Sequence, residues 1–459
     1  MNRLRCITAS VVVAVLAVLL SSCGRAGSAW SPAPRVAELL AGPRPAYPPV
    51  RFAVITDVHL YDAAALGAEG EAFAEALADD RKMVVESAEI AGEALRMVRE
   101  SGVRFLAVPG DLTWNGERAN HERVAVMLAE VERAGVQVYV VPGNHDVLNP
   151  EAAGFGPEGR RSVPGVTAAE FAALYRDFGY GDAVRRDPGS LSYVAEPAPG
   201  LWLLGIDACR YAENTPKTGP VTDGRLDRAR LAWVETALED ALRLGKAVIA
   251  VMHHGVVEHF RLEEKSWGMY LVDDYREIGR MLAAYGVKVA FTGHFHAQDV
   301  ALSRFPGGSF LYDVMSGSLA TAPNVRLVTV ADGSMTIRSE PVAALPSLAS
   351  AGVDFPAYAR KIVHDRVAGI ATATMRKLLV PLGDTAVLAP QIADAFVANY
   401  WGDEKFTGTV RLTRKGLSLM GRIVVANQKN KVEPLWDDLE PVDNDLVIDL
   451  ATGAWRPVE

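Results

Sequence analysis

Five short apolar runs, at residues 50–56, 103–108, 136–141, 247–252 and 287–292, each end on a string of Asp, Asn or His. That repeated punctuation constrains the fold more than anything else in the chain. Runs of this length and composition read as strands, and the Ala- and Glu-rich stretches between them carry helical periodicity. Alternation of that kind predicts α/β layering, in which ligand sites gather beyond the carboxyl ends of the strands. The five strings are Asp57-Val58-His59, Gly110-Asp111, Gly143-Asn144-His145-Asp146, His253-His254 and His294-Phe295-His296, and they hold six of the nine histidines among 459 residues. All five are therefore expected at one rim.

Imidazoles mixed with carboxylates and one amide carbonyl suit Zn, Mn, Fe, Ni or Co, and a set so poor in thiolate excludes a Cys-type zinc knot or an iron–sulfur cluster. Seven candidate ligands among these strings are too many for one tetrahedral ion. Two divalent or mixed-valence transition-metal ions sharing a carboxylate answer that excess, and paired ions about 3.5–4 Å apart are a known device for phosphoryl chemistry.

In this order the strings DVH, GD, GNHD, HHG and GHFH resemble those of the calcineurin-like metallophosphoesterases, over roughly residues 50–300. The resemblance implies a four-layer α/β/β/α sandwich. It also implies a first ion on Asp57, His59 and His296, a second on Asn144, His253 and His294, and Asp111 bridging both. His145 would protonate the departing alkoxide, with Asp146 placed to orient it, while a hydroxide spanning the ions attacks phosphorus in line. Alignment through Gly255 favours His253 over His254 as the ligand and leaves His254 to contact substrate. The activity implied is hydrolysis of a phosphate mono- or diester. Narrower identities within the family, a cyclic-nucleotide or glycerophospho-diester phosphodiesterase, share the same metal core, and the alternative outside enzymes is a lipoprotein that only holds a structural ion.

The amino terminus reads as an export leader: Arg3 and Arg5, then an apolar run of about 14 residues, short of the roughly 20 that span a bilayer. Leu20-Ser21-Ser22-Cys23 resembles a bacterial lipobox, which implies removal of residues 1–22, lipid on Cys23 and an extracytoplasmic, membrane-anchored protein. Residues 23–49, rich in Ala, Pro, Ser and Gly, read as a flexible linker. Once the leader is gone, Cys209 is the only cysteine besides Cys23, so no internal disulfide is expected. A formal charge of −9 disfavours a nucleic-acid scaffold as partner.

Residues 50–342 form the expected catalytic domain. Within it, 149–165 read as a Gly- and Pro-dotted loop, 168–178 and 225–244 as helices, and 191–194 and 201–206 as strands. The strand-like residues at 310–314 and 325–338 are expected to close the second sheet. Asp207, Arg210 and Tyr211 are candidates for the cleft wall, although a surface turn is the commoner role; His259 reads as a solvated loop residue. Residues 343–459 carry no phosphoesterase string and read as a mainly helical C-terminal extension with Tyr400-Trp401-Gly402-Asp403-Glu404 at its centre.

Overall fold

In the computed structural model, which describes residues 30–402, 404 and 411–459, the first apolar runs become β1 (Val50–Val54), β2 (Phe105–Pro109) and β3 (Gln137–Val141), parallel neighbours in one sheet. The leader, Cys23 and Asp403 lie outside the described residues. Where a loop was expected after β3, β4 (Ala153–Gly156) and β5 (Gly159–Ser162) pair as a hairpin. The second sheet collects β6 (Arg185–Arg186), β7 (Tyr193–Ala198), β8 (Leu201–Ile206), β9 (Ala247–Met252), β10 (Val289–Thr292), β11 (Asp299–Arg304) and β12 (Phe310–Met315), in the order β11-β12-β10-β9-β8-β7-β6.

β13 (Asn324–Ala331) and β14 (Ser334–Pro341) correct the sequence reading. They join the first sheet, not the second, because β13 lies antiparallel against β1 with Val50 opposite Val330 and Val54 opposite Arg326. The turn between them does fall at Asp332 and Gly333, both at positive φ. β15 (Leu446–Asp449) and β16 (Trp455–Pro457) extend that sheet further, giving β16-β15-β14-β13-β1-β2-β3. The last part of the chain thus helps to build the sheet that carries the first three metal-type strings.

Helices α1 (Ser87–Glu100) and α2 (Arg118–Arg133) cover the outer face of the first sheet, packing on β13 and β3. α3 (Arg228–Arg243) and α4 (Tyr275–Ala284) cover the second through β9 and β12. The inner faces meet each other: Phe52 of β1 stacks on Phe105 at 4.6 Å between ring centres and meets Phe291 of β10 edge-on at 5.3 Å. Strands covered on both faces explain why the apolar runs are continuous rather than alternating. This is the α/β/β/α layering expected, and burying each such ring contributes about 1.5–3 kcal/mol.

The extension supplies α5 (Phe355–Lys377), α6 (Leu382–Trp401) and α7 (Leu419–Val432), capped at their starts by Asp354 in α5 and Ser418 in α7. It is tied to the loop before α1: Tyr358 donates to Glu86 Oε1, and Arg366 donates to the Lys82 carbonyl. Pro32–Glu459 form one compact unit. The expected linker is also corrected over its described part, because Arg44 donates to the Ala284 carbonyl and the Tyr47 hydroxyl to that of Val248, pinning these residues to the end of α4 and to β9. Among the described residues no helix is long and apolar enough to cross a membrane.

Candidate metal centre

Parallel β1, β2 and β3 in one sheet and β9 and β10 in the other point their carboxyl ends to one rim, and the strings meet there. Short backbone bonds zip the turns together: Asp57 N–H donates to the Gly110 carbonyl and His59 N–H to that of Asp111. The backbone must bend sharply to aim each side chain inward. Asp57, His59, Asp111, His294 and His296 all have φ between 42° and 75°, a region that residues with a Cβ seldom adopt. Gly110 and Gly143 allow the turns to close; a Cβ on Gly110 would lie 2.7 Å from Gly143 N and His253 Nδ1, and one on Gly143 would fall on Asp111 Oδ1.

Asp57, His59, Asp111 and His296 form one group whose ligand atoms lie within 4.8 Å of one another, and Asp111, His253 and His294 form a second. Asp111 belongs to both. Its Oδ2 is 3.4 Å from His59 Nε2 and 3.4 Å from His253 Nε2, while its Oδ1 accepts from His145 N–H at 2.9 Å. Asn144 Oδ1 lies 3.2 Å from His253 Nε2, so the amide joins the second group. His253 Nδ1 sits on the Pro109 carbonyl at 2.9 Å, and His294 Nε2 on that of Thr222 at 3.0 Å, which turns the opposite ring nitrogen of each toward the cluster. All seven residues are buried.

The donor set fits cations. His59 Nε2 and His296 Nε2 face each other at 3.0 Å, with Asp57 Oδ1 3.5 Å from the latter. Burial holds both rings well below the ordinary imidazole range, so they are neutral and at most one of the two facing nitrogens carries a proton. Burial also pushes Asp57 up to about 7, with repulsion from Asp111 adding to it. His253 goes the other way: burial lowers it, but Asp111 and Asp57 overcome that and raise it to about 9. Protein alone balances two crowded carboxylates by loading a proton on a histidine, a role that a cation fills better.

Around this cluster the structure corrects two of the expected roles. Asp146 does not orient His145; its carboxylate is occupied by the N–H groups of Leu112, Thr113 and Gly143 and by the Thr113 hydroxyl. Asn115 does that work, accepting from His145 Nδ1 at 3.1 Å. His254 is fully buried behind the second group, with Nε2 on the Thr222 carbonyl at 2.9 Å, so no part of it faces a substrate. Burial lowers its ring to about 3. His145 itself is half-buried at the rim, and burial lowers it to about 4.

Further residues escaped sequence reasoning. Thr222 lies in the insert after β8 and acts through a backbone carbonyl, which leaves no side-chain signal. Asn115 was within reach, four positions after Asp111 of the Gly110-Asp111 string. His259 is no solvated loop residue: Nδ1 meets Asp299 Oδ1 at 2.9 Å and Nε2 lies 3.5 Å from Asp313 Oδ2, all buried. Asp207 is also buried, and its carboxylate accepts from Leu191 N–H, Cys209 N–H and the Tyr211 hydroxyl, holding a turn rather than lining a cleft. His121 is buried against Tyr175 and the Asp146 carbonyl.

No curated protein matches this sequence. Among solved structures, a dimetal phosphatase from Danio rerio shares 15% identity over 64% of this chain and 97% of its own, with a TM-score of 0.44. The purple acid phosphatase PPD1 from yellow lupin (Lupinus luteus) seeds shares 12% over 64% and 52%, with a TM-score of 0.43. The family model for calcineurin-like phosphoesterases matches residues 50–298, more than half of the chain and the whole of the stretch that carries the five strings. The chain accordingly belongs to the calcineurin-like phosphoesterase family and is a metal-dependent phosphoester hydrolase.

Proposed function

We propose that the protein hydrolyses phosphate mono- or diesters with two metal ions, one held by Asp57, His59 and His296, the other by Asn144, His253 and His294, and both by Asp111. One observation carries this reading: a single oxygen, Asp111 Oδ2, is equally distant from a histidine of each group. Bound there, paired ions lower the pKa of water and neutralise charge on phosphoryl oxygens. The rest is done by the chain. With Nδ1–H fixed on Asn115 Oδ1, His145 turns Nε2 to the rim; that atom would take up a proton as the anionic phosphate offsets the burial that keeps the ring neutral, and pass it to the leaving oxygen. His254 and His294 share the Thr222 carbonyl, so His254 serves to fix that strut.

The test is turnover of p-nitrophenyl and bis-p-nitrophenyl phosphate with Mn, Zn or Fe added; absence of turnover with every metal would reject the reading. Within it, His145→Ala is expected to keep the metals and slow alkyl esters by about 10²–10⁴-fold, with p-nitrophenyl esters affected far less. Asn115→Ala is expected to reproduce that pattern at about 10–100-fold. Equal losses on both ester types would refute the proton-donor role.

For the location of the enzyme we propose the cell envelope, with lipid on Cys23 as the anchor; support comes from the Leu20-Ser21-Ser22-Cys23 string and the apolar run before it. Cys23→Ser is expected to move the protein from the membrane to the soluble extracytoplasmic fraction. Unchanged partition would rule that anchor out.

A further inference from the structure

Beside the metal-ligand cluster lies a cavity of about 390 Å³, within the range of small-molecule sites. Walls from the extension are mainly apolar, with Ile370, Ala371 and Met375 of α5, Ile392 and Phe396 of α6 and Val424 of α7, while Thr374, Asn427, Gln428 and Lys431 add polar groups. Its inner end is made by residues that touch the cluster. The Tyr270 ring is 4.7 Å from that of His294, Tyr400 is 6.4 Å from His296, and Phe295 sits in sequence between these two ligands. At the same end stands Arg81, its guanidinium 5.9 Å from the Tyr400 ring centre and its Nε buried with no hydrogen-bond partner. A guanidinium held by the Tyr270 and Tyr400 side chains, with Nε still lacking an acceptor, therefore marks the junction of the metal-ligand cluster and the apolar space.

The outer end leads to an apolar surface. Leu378 lines the cavity and is 59% exposed; Leu379 at 84%, Leu382 at 69% and Leu419 at 77% continue the patch across the α5–α6 turn and the start of α7. Asp384 ties these two helix ends together by accepting from Ser418 N–H at 2.9 Å. Leu379 has φ 59° at the position past a helix end where glycine is usual. Arg376, Lys377, Arg414, Lys415 and Arg422 are exposed on the same helix ends and the residues leading into them. Leucines ringed by basic residues match the interface of an anionic bilayer.

We infer that the substrate is an amphiphilic phosphate ester whose hydrocarbon chain fills this cavity, whose phosphate lies between Arg81 and the metal-ligand cluster, and which is drawn from an anionic lipid surface through the leucine rim. The inference rests on the phosphoesterase reading above. Hydrolysis adds water across the ester bond: the water oxygen joins phosphorus, the P–O ester bond breaks, and the departing alcohol takes a proton.

The test is a series of alkyl phosphates and alkyl p-nitrophenyl diesters from ethyl to dodecyl, each below its micelle concentration, with Mn or Zn added. For the unaltered chain kcat/KM is expected to rise at least about tenfold along the series. In Ala371→Trp and, separately, Val424→Trp, the dodecyl-to-ethyl ratio is expected to fall toward one. Trp267 lines the cavity, so energy transfer to dansyl-undecanoic acid reads occupancy without turnover. Saturable binding that weakens at least about tenfold in both variants is expected. Leu379→Glu with Leu419→Glu is expected to abolish any preference for the dodecyl ester in phosphatidylglycerol vesicles over the same ester as monomer; a preference that survives would remove the lipid surface from the assignment. A flat series with ethyl esters hydrolysed would overturn the hydrocarbon site and leave the phosphoesterase reading standing. Failure to hydrolyse any ester would overturn both.

Discussion

Asp111→Asn is expected to take the protein from about two metal ions per chain to one or none and to lower kcat/KM by more than about 100-fold, since partners outside the ligand shell already account for about 10–100-fold in such sites. The direction follows from what each oxygen of the carboxylate does. Oδ1 accepts the His145 N–H, while Oδ2 lies 3.4 Å from both His59 Nε2 and His253 Nε2. An amide placed here keeps its oxygen on the His145 N–H, which puts its NH₂ group where the shared acceptor stood. Turning it over sets a donor against a donor. Metal analysis after dialysis, together with turnover of bis-p-nitrophenyl phosphate, checks the expectation; a variant that kept both would mean that Asp111 bridges nothing.

The largest effect on stability is expected at His259→Ala, a loss of about 3–5 kcal/mol in denaturant unfolding, typical of removing one partner from a buried charge pair. Asp313 anchors the strand end that carries His253: its carboxylate accepts from Val256 and Val257 N–H and from the Thr292 hydroxyl. Asp299 approaches the same imidazole from β11. Burial acts to lower His259, but Asp299 and Asp313 outweigh it and raise the ring well above the ordinary range. A raised imidazole contributes stability that is complete below its unfolded value, about 6.5, and is lost as pH rises through the folded value. The gap between the unaltered and substituted proteins is therefore expected to be constant below about pH 6.5 and to narrow at alkaline pH. A loss under about 1 kcal/mol, or a gap that widens with pH, would show that the two aspartates are balanced some other way.

Much of the rim was legible because strand-forming runs and metal-type residues are both local patterns. Asp57, His59, Asp111, Asn144, His253, His294 and His296 sit together as their strings imply. Side-chain partnerships were harder. Asp146 follows His145 directly, yet its carboxylate turns inward to three backbone N–H groups. Thr222 could not be foreseen, since every residue type offers a carbonyl. Sheet membership of β13 and β14 was misread for a related reason: alternation identifies a strand but not its neighbour, and here the neighbour is β1, about 270 residues earlier. The cavity beside the cluster was invisible for the same cause, because its walls come from α5, α6 and α7, whose apolar stripes look like those of any packed helix.

The left-handed turns at Asp57, His59, Asp111, His294 and His296 have one more consequence. Conformations of this kind cost on the order of 1–3 kcal/mol each and persist only where surrounding structure imposes them. Here the imposing structure is a pair of sheets packed face to face, so the reactive edge is spring-loaded by the bulk of the molecule. Cation occupancy and the shape of that edge then form a single equilibrium, in which whatever empties the centre also frees the loops to unwind.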